Sequence, residues 1–453
     1  MSDIYTLIAF AVAIAVLVLL IARFKVHPVA TLFIIVVTLG LCLGIGGAKT
    51  MELVTEAFGS TLAKVGLLVI FGCVLGKMLE LSGAAERITL SALTLFPSKR
   101  APWAVALASM VLGIPLIADT AVVMLIPVVS ALAYRTNISM MRLGPILYIG
   151  AYVMTSLVPP GPGPLAASAM LGVDFGEAML WGLAVAIPSI LVATLYLLTI
   201  KTHVDPKPEL VAHLTRGGGS GGTDAEPEEK KKLPALWMSL TPVLLPIVLI
   251  IISSYVVDML EIDNVFGSIV AFVGNPTLAL FIGCLAALPL FGGRWRDKET
   301  VNDLFEAGLR LAAMPVALTG VGGALAAIIR DTEVAESVAD VISDWGLSPI
   351  IVPFLVAAAI CTITGSNILG VMTAAAIMEP LAEGLGVSML AVYLACGTGA
   401  QIMKHANSSG FWVTTTLSNM TVGQGVRSIG VASALSGVTG GAIVYVLYVL
   451  GLI

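Results

Sequence analysis

The sequence predicts an all-α polytopic membrane protein made of two inverted-topology repeats. Three observations predict it. The 453-residue chain is 58% hydrophobic and 11% charged, with a mean hydropathy of +1.03, where a soluble domain carries roughly 25% charged residues. Apolar runs such as 4–22 and 29–46 reach the roughly 20 residues that a helix needs to cross a bilayer. Four polar or Pro/Gly-rich interruptions fall inside apolar segments, in matching order in the two halves.

Spans are expected near 4–22, 28–46, 65–81, 103–133, 143–171 and 177–200. A second set is expected near 235–257, 275–291, 311–329, 347–385, 388–417 and 428–451. The first run lacks a basic amino-terminal region, since its only early charge is Asp3, and another span follows at once. It reads as a retained helix rather than a signal peptide. Residues 201–234 carry GGGSGG and EPEEKKK, the composition of a solvated flexible linker. The chain thus divides into a first repeat, 1–200, the linker, and a second repeat, 235–453. Cys42, Cys73, Cys284, Cys361 and Cys396 are scattered through apolar segments without a CxxC pair and read as small buried hydrophobes.

Orientation follows from Lys and Arg. With the amino terminus outside, most of the 23 basic residues fall on the cytoplasmic side. Lys49, Lys64 and Arg330 face outward with an acidic loop, Asp331 to Asp344. This satisfies the positive-inside rule, provided that 103–133 and 347–385 each enter and leave on one side as re-entrant hairpins. Each half then has three spans, a hairpin, a broken span and a final span, an odd number of crossings that inverts the second half. Residue echoes agree. Thr120-Ala121 with Pro127 is matched by Thr373-Ala374 with Pro380, and Gly176-Glu177 by Gly423-Gln424. Paired broken helices in inverted repeats point to a secondary transporter with its site at the repeat interface.

The four interruptions carry the candidate chemistry, because irregular backbone at bilayer depth survives only when buried in protein or lining a cavity. At the first hairpin tip, Gly113 and Pro115 end a helix ahead of Asp119 and Thr120. Asp119 is either an N-cap or a ligand for an ion, a proton or a substrate hydroxyl. The first break, Pro159 to Pro164, includes Pro160, Gly161, Pro162 and Gly163. It is either a kink or an exposed helix amino end, expected to begin at Leu165, that binds a carboxylate. At the second tip Thr364, Gly365, Ser366 and Asn367 are suited to capping and to donating to an anion or hydroxyl. The second break holds His405, Asn407, Ser408 and Ser409. Histidine as a residue type exchanges a proton in the physiological range, which makes His405 a candidate proton carrier, the Asn and Ser side chains suit a polyhydroxylated molecule, and Lys404 either neutralises an anion or snorkels. Aromatic residues read as lipid-facing or packing.

No Walker A sequence, metal cluster or catalytic triad is found, so no cofactor, metal or nucleic acid is expected. A membrane-embedded enzyme would have only Asp119, Glu379, Glu383 and His405 to work with. The segments GIPLIADTAVVMLIPVV, VPPGPGP with LAASAMLGVDFG, TGSN and HANSSGFW resemble the gluconate permease family from Gly113 to Trp412. That resemblance implies a proton-coupled symporter of gluconate and related acids. Its wider superfamily implies re-entrant hairpins, a homodimer and an elevator motion. The chain departs from the family pattern at Gly161, where a histidine is usual, and at Ser408, where an Asp is usual. It departs again at Ile117, Ala118 and Asp119 in place of an aromatic pair and Glu, and in SNILG at the second tip.

The expected function is therefore proton-coupled symport of a small organic anion, most simply gluconate or another sugar or hydroxy acid, across the plasma membrane. Asp119 and His405 are the candidates for the coupling ion. A sodium-coupled carboxylate carrier and an anion channel are the alternatives.

Overall fold

A computed structural model of the chain describes residues 3–94, 97, 100–114, 116–215, 233–253, 265–332, 334, 337, 348–406 and 408–453. Every long regular element among them is helical. The first half comprises α1 (Asp3–Ala22), α2 (Pro28–Cys42), α3 (Gly47–Leu81), α4 (Ala84–Thr94), α5 (Ala101–Gly113), α6 (Ala118–Thr136), α7 (Met140–Leu157), α8 (Pro162–Met170) and α9 (Phe175–Thr199). After α10 (Pro208–Thr215) come α11 (Leu236–Ile251), α12 (Val265–Val273), α13 (Pro276–Ala287) and α14 (Lys298–Arg330). The chain ends with α15 (Ile351–Thr364), α16 (Asn367–Met378), α17 (Met389–Gly399), α18 (Ser409–Leu417) and α19 (Val422–Val449). Among the described residues, seven helical stretches are long and apolar enough to cross a membrane.

The centre of the molecule is the pair α3 and α14, 35 and 33 residues long. At 1.5 Å per residue each runs about 50 Å, well beyond an approximately 30 Å hydrocarbon core. The expected spans 65–81 and 311–329 are the apolar parts of these longer helices. Asp297 starts α14. The hydroxyl and N–H of Thr300 donate to its carboxylate at 2.8 and 3.1 Å and hold it below the usual carboxylate range. Small residues let the pair close up. A methyl on Gly308 would lie 2.5 Å from the Val74 Cα, and one on Gly320 2.5 Å from the Phe58 ring. Lys49 pairs with Asp331 at 2.7 Å. These contacts join the start of one helix to the end of the other, so α3 and α14 run antiparallel.

The same relation holds at α9 and α19, where Tyr196 donates to the Arg427 carbonyl at 2.6 Å and Ser189 lies against Gly440. Packing elsewhere comes in matched pairs: α5 on α7 and α15 on α17, α1 on α2 and α11 on α13, α3 on α13 and α14 on α2. Elements offset by about 250 residues thus occupy equivalent places and run in opposite directions.

Segments 103–133 and 347–385 are each two helices with a sharp tip. The first tip lies at 114–117, of which Pro115 is outside the described residues. The second lies at Gly365 and Ser366, where Gly365 takes φ 74°, a left-handed value that a glycine adopts freely. The front of the expected linker is docked rather than solvated. Val204 and Val211 are buried, Met140 N donates to the Val204 carbonyl at 2.9 Å, and α10 packs on α6. Its apolar positions win over its polar composition. Residues 216–232, with GGGSGG, and 254–257 of the eleventh helix's expected span lie outside the described residues, as does most of the acidic loop.

Candidate functional site

Each hairpin tip meets the break of the opposite half. The first tip and second break join where Ser409 Oγ donates to Asp119 Oδ2. Gly410 is needed there, because a Cβ would strike both Asp119 and the Tyr148 ring. Ser408 is buried and faces Tyr148. The second tip and first break join where Ile368 lies against Gly163, 3.3 Å from an added Cβ. There Asn367 Nδ2 donates to Ser156 Oγ at 3.0 Å and to Thr155 Oγ1 at 3.3 Å. One junction is acidic and hydroxylated, and its repeat mate is amide and hydroxyl.

Asp119 does not cap α6. The N-cap is Ile117, and Asp119 sits in the first turn with its carboxylate turned to the second break. Ser366 is a cap, accepting from Leu369 N at 3.3 Å, and Thr364 spends its hydroxyl on the Ile360 carbonyl at 2.8 Å. Thr120 stands apart, lining a cavity with Lys77, Glu80 and Arg310. His405 is half-buried, and its ring bonds to no described residue. Asn407 lies outside the described residues.

The first break differs from expectation. Helix α8 begins at Pro162, with Gly161 as N-cap, not at Leu165. Two of its first three residues are prolines and lack an N–H. Leu165 N already bonds the Gly161 carbonyl at 3.0 Å. Gly163 therefore offers the one N–H of that first turn, and residues 159–164 are all buried. This end is a weak anion cradle compared with an ordinary helix amino terminus.

The cation of the site is Lys404. It is 2% exposed. Its ammonium donates to the Gly365 carbonyl, at the carbonyl end of α15, and sits 4.7 Å from the centre of the Tyr152 ring. Its backbone N–H donates to Ser433 Oγ at 2.8 Å, which holds the broken chain on α19. A helix carboxyl end and an aromatic face both favour a positive charge. Asp119 is close enough to be felt electrostatically, yet no ion pair forms among the described residues. Gln401, in the same stretch, is fully buried, and neither of its amide atoms has a partner among them.

The tyrosines correct a sequence expectation. Rather than mere packing, Tyr152 donates to the Ala400 carbonyl and Tyr393 to the Leu157 carbonyl, both at 2.6 Å. Ala400 and Leu157 are where the two spans break, so each ring satisfies a carbonyl that the other break sets free. The only sequence signal was a phenol where a phenylalanine would pack as well.

The chain matches the GntP family permease profile over residues 5–450. It belongs to the GntP family of permeases. This permease is 34% identical over 413 residues to an uncharacterized permease of Haemophilus influenzae, covering 90% of this chain and 84% of the other. It is 32% identical over 427 residues to a gluconate permease of Pseudomonas aeruginosa, covering 93% of each. The crystal structure of the Alcanivorax borkumensis YdaH transporter, described as having an unusual topology, matches with a TM-score of 0.63 at 14% identity. That match covers 93% of this permease and 98% of the other chain, and shows a shared fold. This permease is a multi-pass protein of the bacterial cytoplasmic membrane.

Proposed function

We propose that this permease carries a sugar acid, gluconate or a close relative, by proton-coupled secondary transport. The observation that carries the reading is Lys404, a buried cation with no ion-paired carboxylate among the described residues. Burying an unpaired charge is costly, and a carboxylate ligand offsets that cost. The neighbouring groups suit the rest of such a molecule. Asp119, Ser408, Ser409 and Asn367 accept from or donate to hydroxyls. Gln401 has an unmet amide, whose burial costs about 1–3 kcal/mol until a polar ligand meets it. Asp119 and His405 take the coupled proton in this reading. The main competitor within the class is sodium coupling through the carbonyls at the two breaks.

The architecture proposed with it has two repeats, 1–200 and 235–453, on either side of a linker. The tips form re-entrant hairpins, and their part of the molecule moves against α3 and α14 in a homodimer. By length alone α6, with 19 residues, is able to cross. The Lys and Arg distribution and the apposition of its start with the second break support the hairpin instead.

Lys404→Met tests the ligand assignment. Losing one partner of a buried charge contact costs about 2–5 kcal/mol, or roughly 30- to 4000-fold in gluconate uptake at about 1.4 kcal/mol per tenfold. The melting temperature in detergent should stay within a few degrees, since Met removes a buried charge that has no ion-paired partner among the described residues and is itself costly to bury. Wild-type uptake by Lys404→Met would sink the assignment.

A further inference from the structure

Two cavities sit at opposite ends of the α3–α14 pair, and the repeat relates them. One, of about 270 Å³, has Ser60, Thr61 and Lys64 of α3, Arg330 of α14, and Ala376 and Glu379 from the second hairpin on its wall. The other, of about 300 Å³, has Gly76, Lys77 and Glu80 of α3, Thr120 of the first tip, and Arg310 of α14. Residues 57, 60 and 61 in the first match 307, 310 and 311 in the second, and 326, 327 and 330 match 76, 77 and 80. The cavities are repeat mates, but no charge recurs with the same sign at a matching position.

In the larger cavity every charge is answered locally. Lys77 pairs with Glu80 and Arg310 with Glu306, both at 2.7 Å. In the smaller one Arg330 pairs with Glu379, and Lys64 makes no ion pair with the described residues. One positive charge is left over, beside the hydroxyls of Ser60 and Thr61. The Lys and Arg distribution puts this cavity on the outer side and the other, whose cations are both ion-paired, on the cytoplasmic side.

We infer that the Lys64 cavity is an outer capture site for the carboxylate of the transported acid, with Lys64 as the attracting charge and Ser60 and Thr61 as hydroxyl partners. The inference rests on the sugar-acid reading above and adds where the anion is first held. A charge at a mouth raises the local anion concentration and acts on association more than on the later steps. At the inner cavity both cations are already ion-paired, so the same anion is held there less firmly.

The test uses the full-length protein in proteoliposomes, with gluconate as probe, at low and high choline chloride. Lys64→Gln should raise KM about threefold to tenfold and leave the maximal rate within about twofold. It should also flatten the rise of KM with salt, while Lys49→Gln, whose partner is Asp331, does neither. A transport-independent readout accompanies it. With the exposed Cys42 replaced by Ser, Ser60→Cys should react faster with an anionic than with a cationic methanethiosulfonate, and Lys64→Gln should erase that preference. An unchanged KM and salt response in an active Lys64→Gln overturns the capture site and leaves the transporter reading standing. An unchanged reagent preference in Lys64→Gln overturns it too. Wild-type vesicles that accumulate no sugar acid, with the reagent preference present, overturn the substrate reading instead and leave an anion-attracting mouth.

Discussion

Asp119 and Lys404 divide the labour of the site between them. The carboxylate faces the hydroxyl of Ser409, and the ammonium faces a carbonyl and an aromatic ring. Their chemistry was visible as residue types in an apolar chain, because an ionisable group at bilayer depth marks function by default. Their aims were not visible. Nothing local to Asp119 distinguishes a cap from a ligand, since the answer depends on Ser409, 290 residues away. Lys404 was open to snorkelling for the same reason, until the tip carbonyl of Gly365 was found within its reach. Asp119→Asn with His405→Gln should abolish the dependence of uptake on a pH gradient, while counterflow exchange of gluconate falls less than about tenfold. Gradient-driven uptake at the wild-type level in that double variant would remove both residues from the coupling role.

At the scale of elements, the breaks and tips were legible because Pro and Gly cannot continue a helix. The exact start of α8 was not. Pro162, Gly163 and Pro164 fit a loop or a first helical turn equally well, and Pro is favoured at that first position. Tertiary support on Ile368 and α3 settles the matter. Packing of α3 on α14 depends on glycines whose missing Cβ leaves room for backbone. Gly308→Leu would push into the Val74 Cα, which cannot turn away. Overpacking of this kind costs about 1–3 kcal/mol, so the variant should melt several degrees lower in detergent. Gly59→Leu, at an open position, should not. Equal melting of the two would mean that the central pair is not what holds the halves together.

For the whole molecule, charge bias and the ordered echoes carried the inverted arrangement. The antiparallel contacts of α3 with α14 and α9 with α19 agree with it. The docked start of the linker was hidden by its polar composition, and the tip-to-break pairing by distance along the chain. In the proposed reading the arrangement supplies a polar site between tips and breaks, with a cavity toward each end of the central pair, as alternating access requires. A channel of the same shape would equilibrate its ligand, while a coupled carrier concentrates it. The decisive measurement is therefore uptake of labelled gluconate by proteoliposomes with an inward proton gradient and no gluconate gradient. Proton-coupled carriage predicts accumulation above the outside concentration, collapsed by a protonophore. Uptake that only equilibrates, with the same end point whether or not the proton gradient is present, would contradict it.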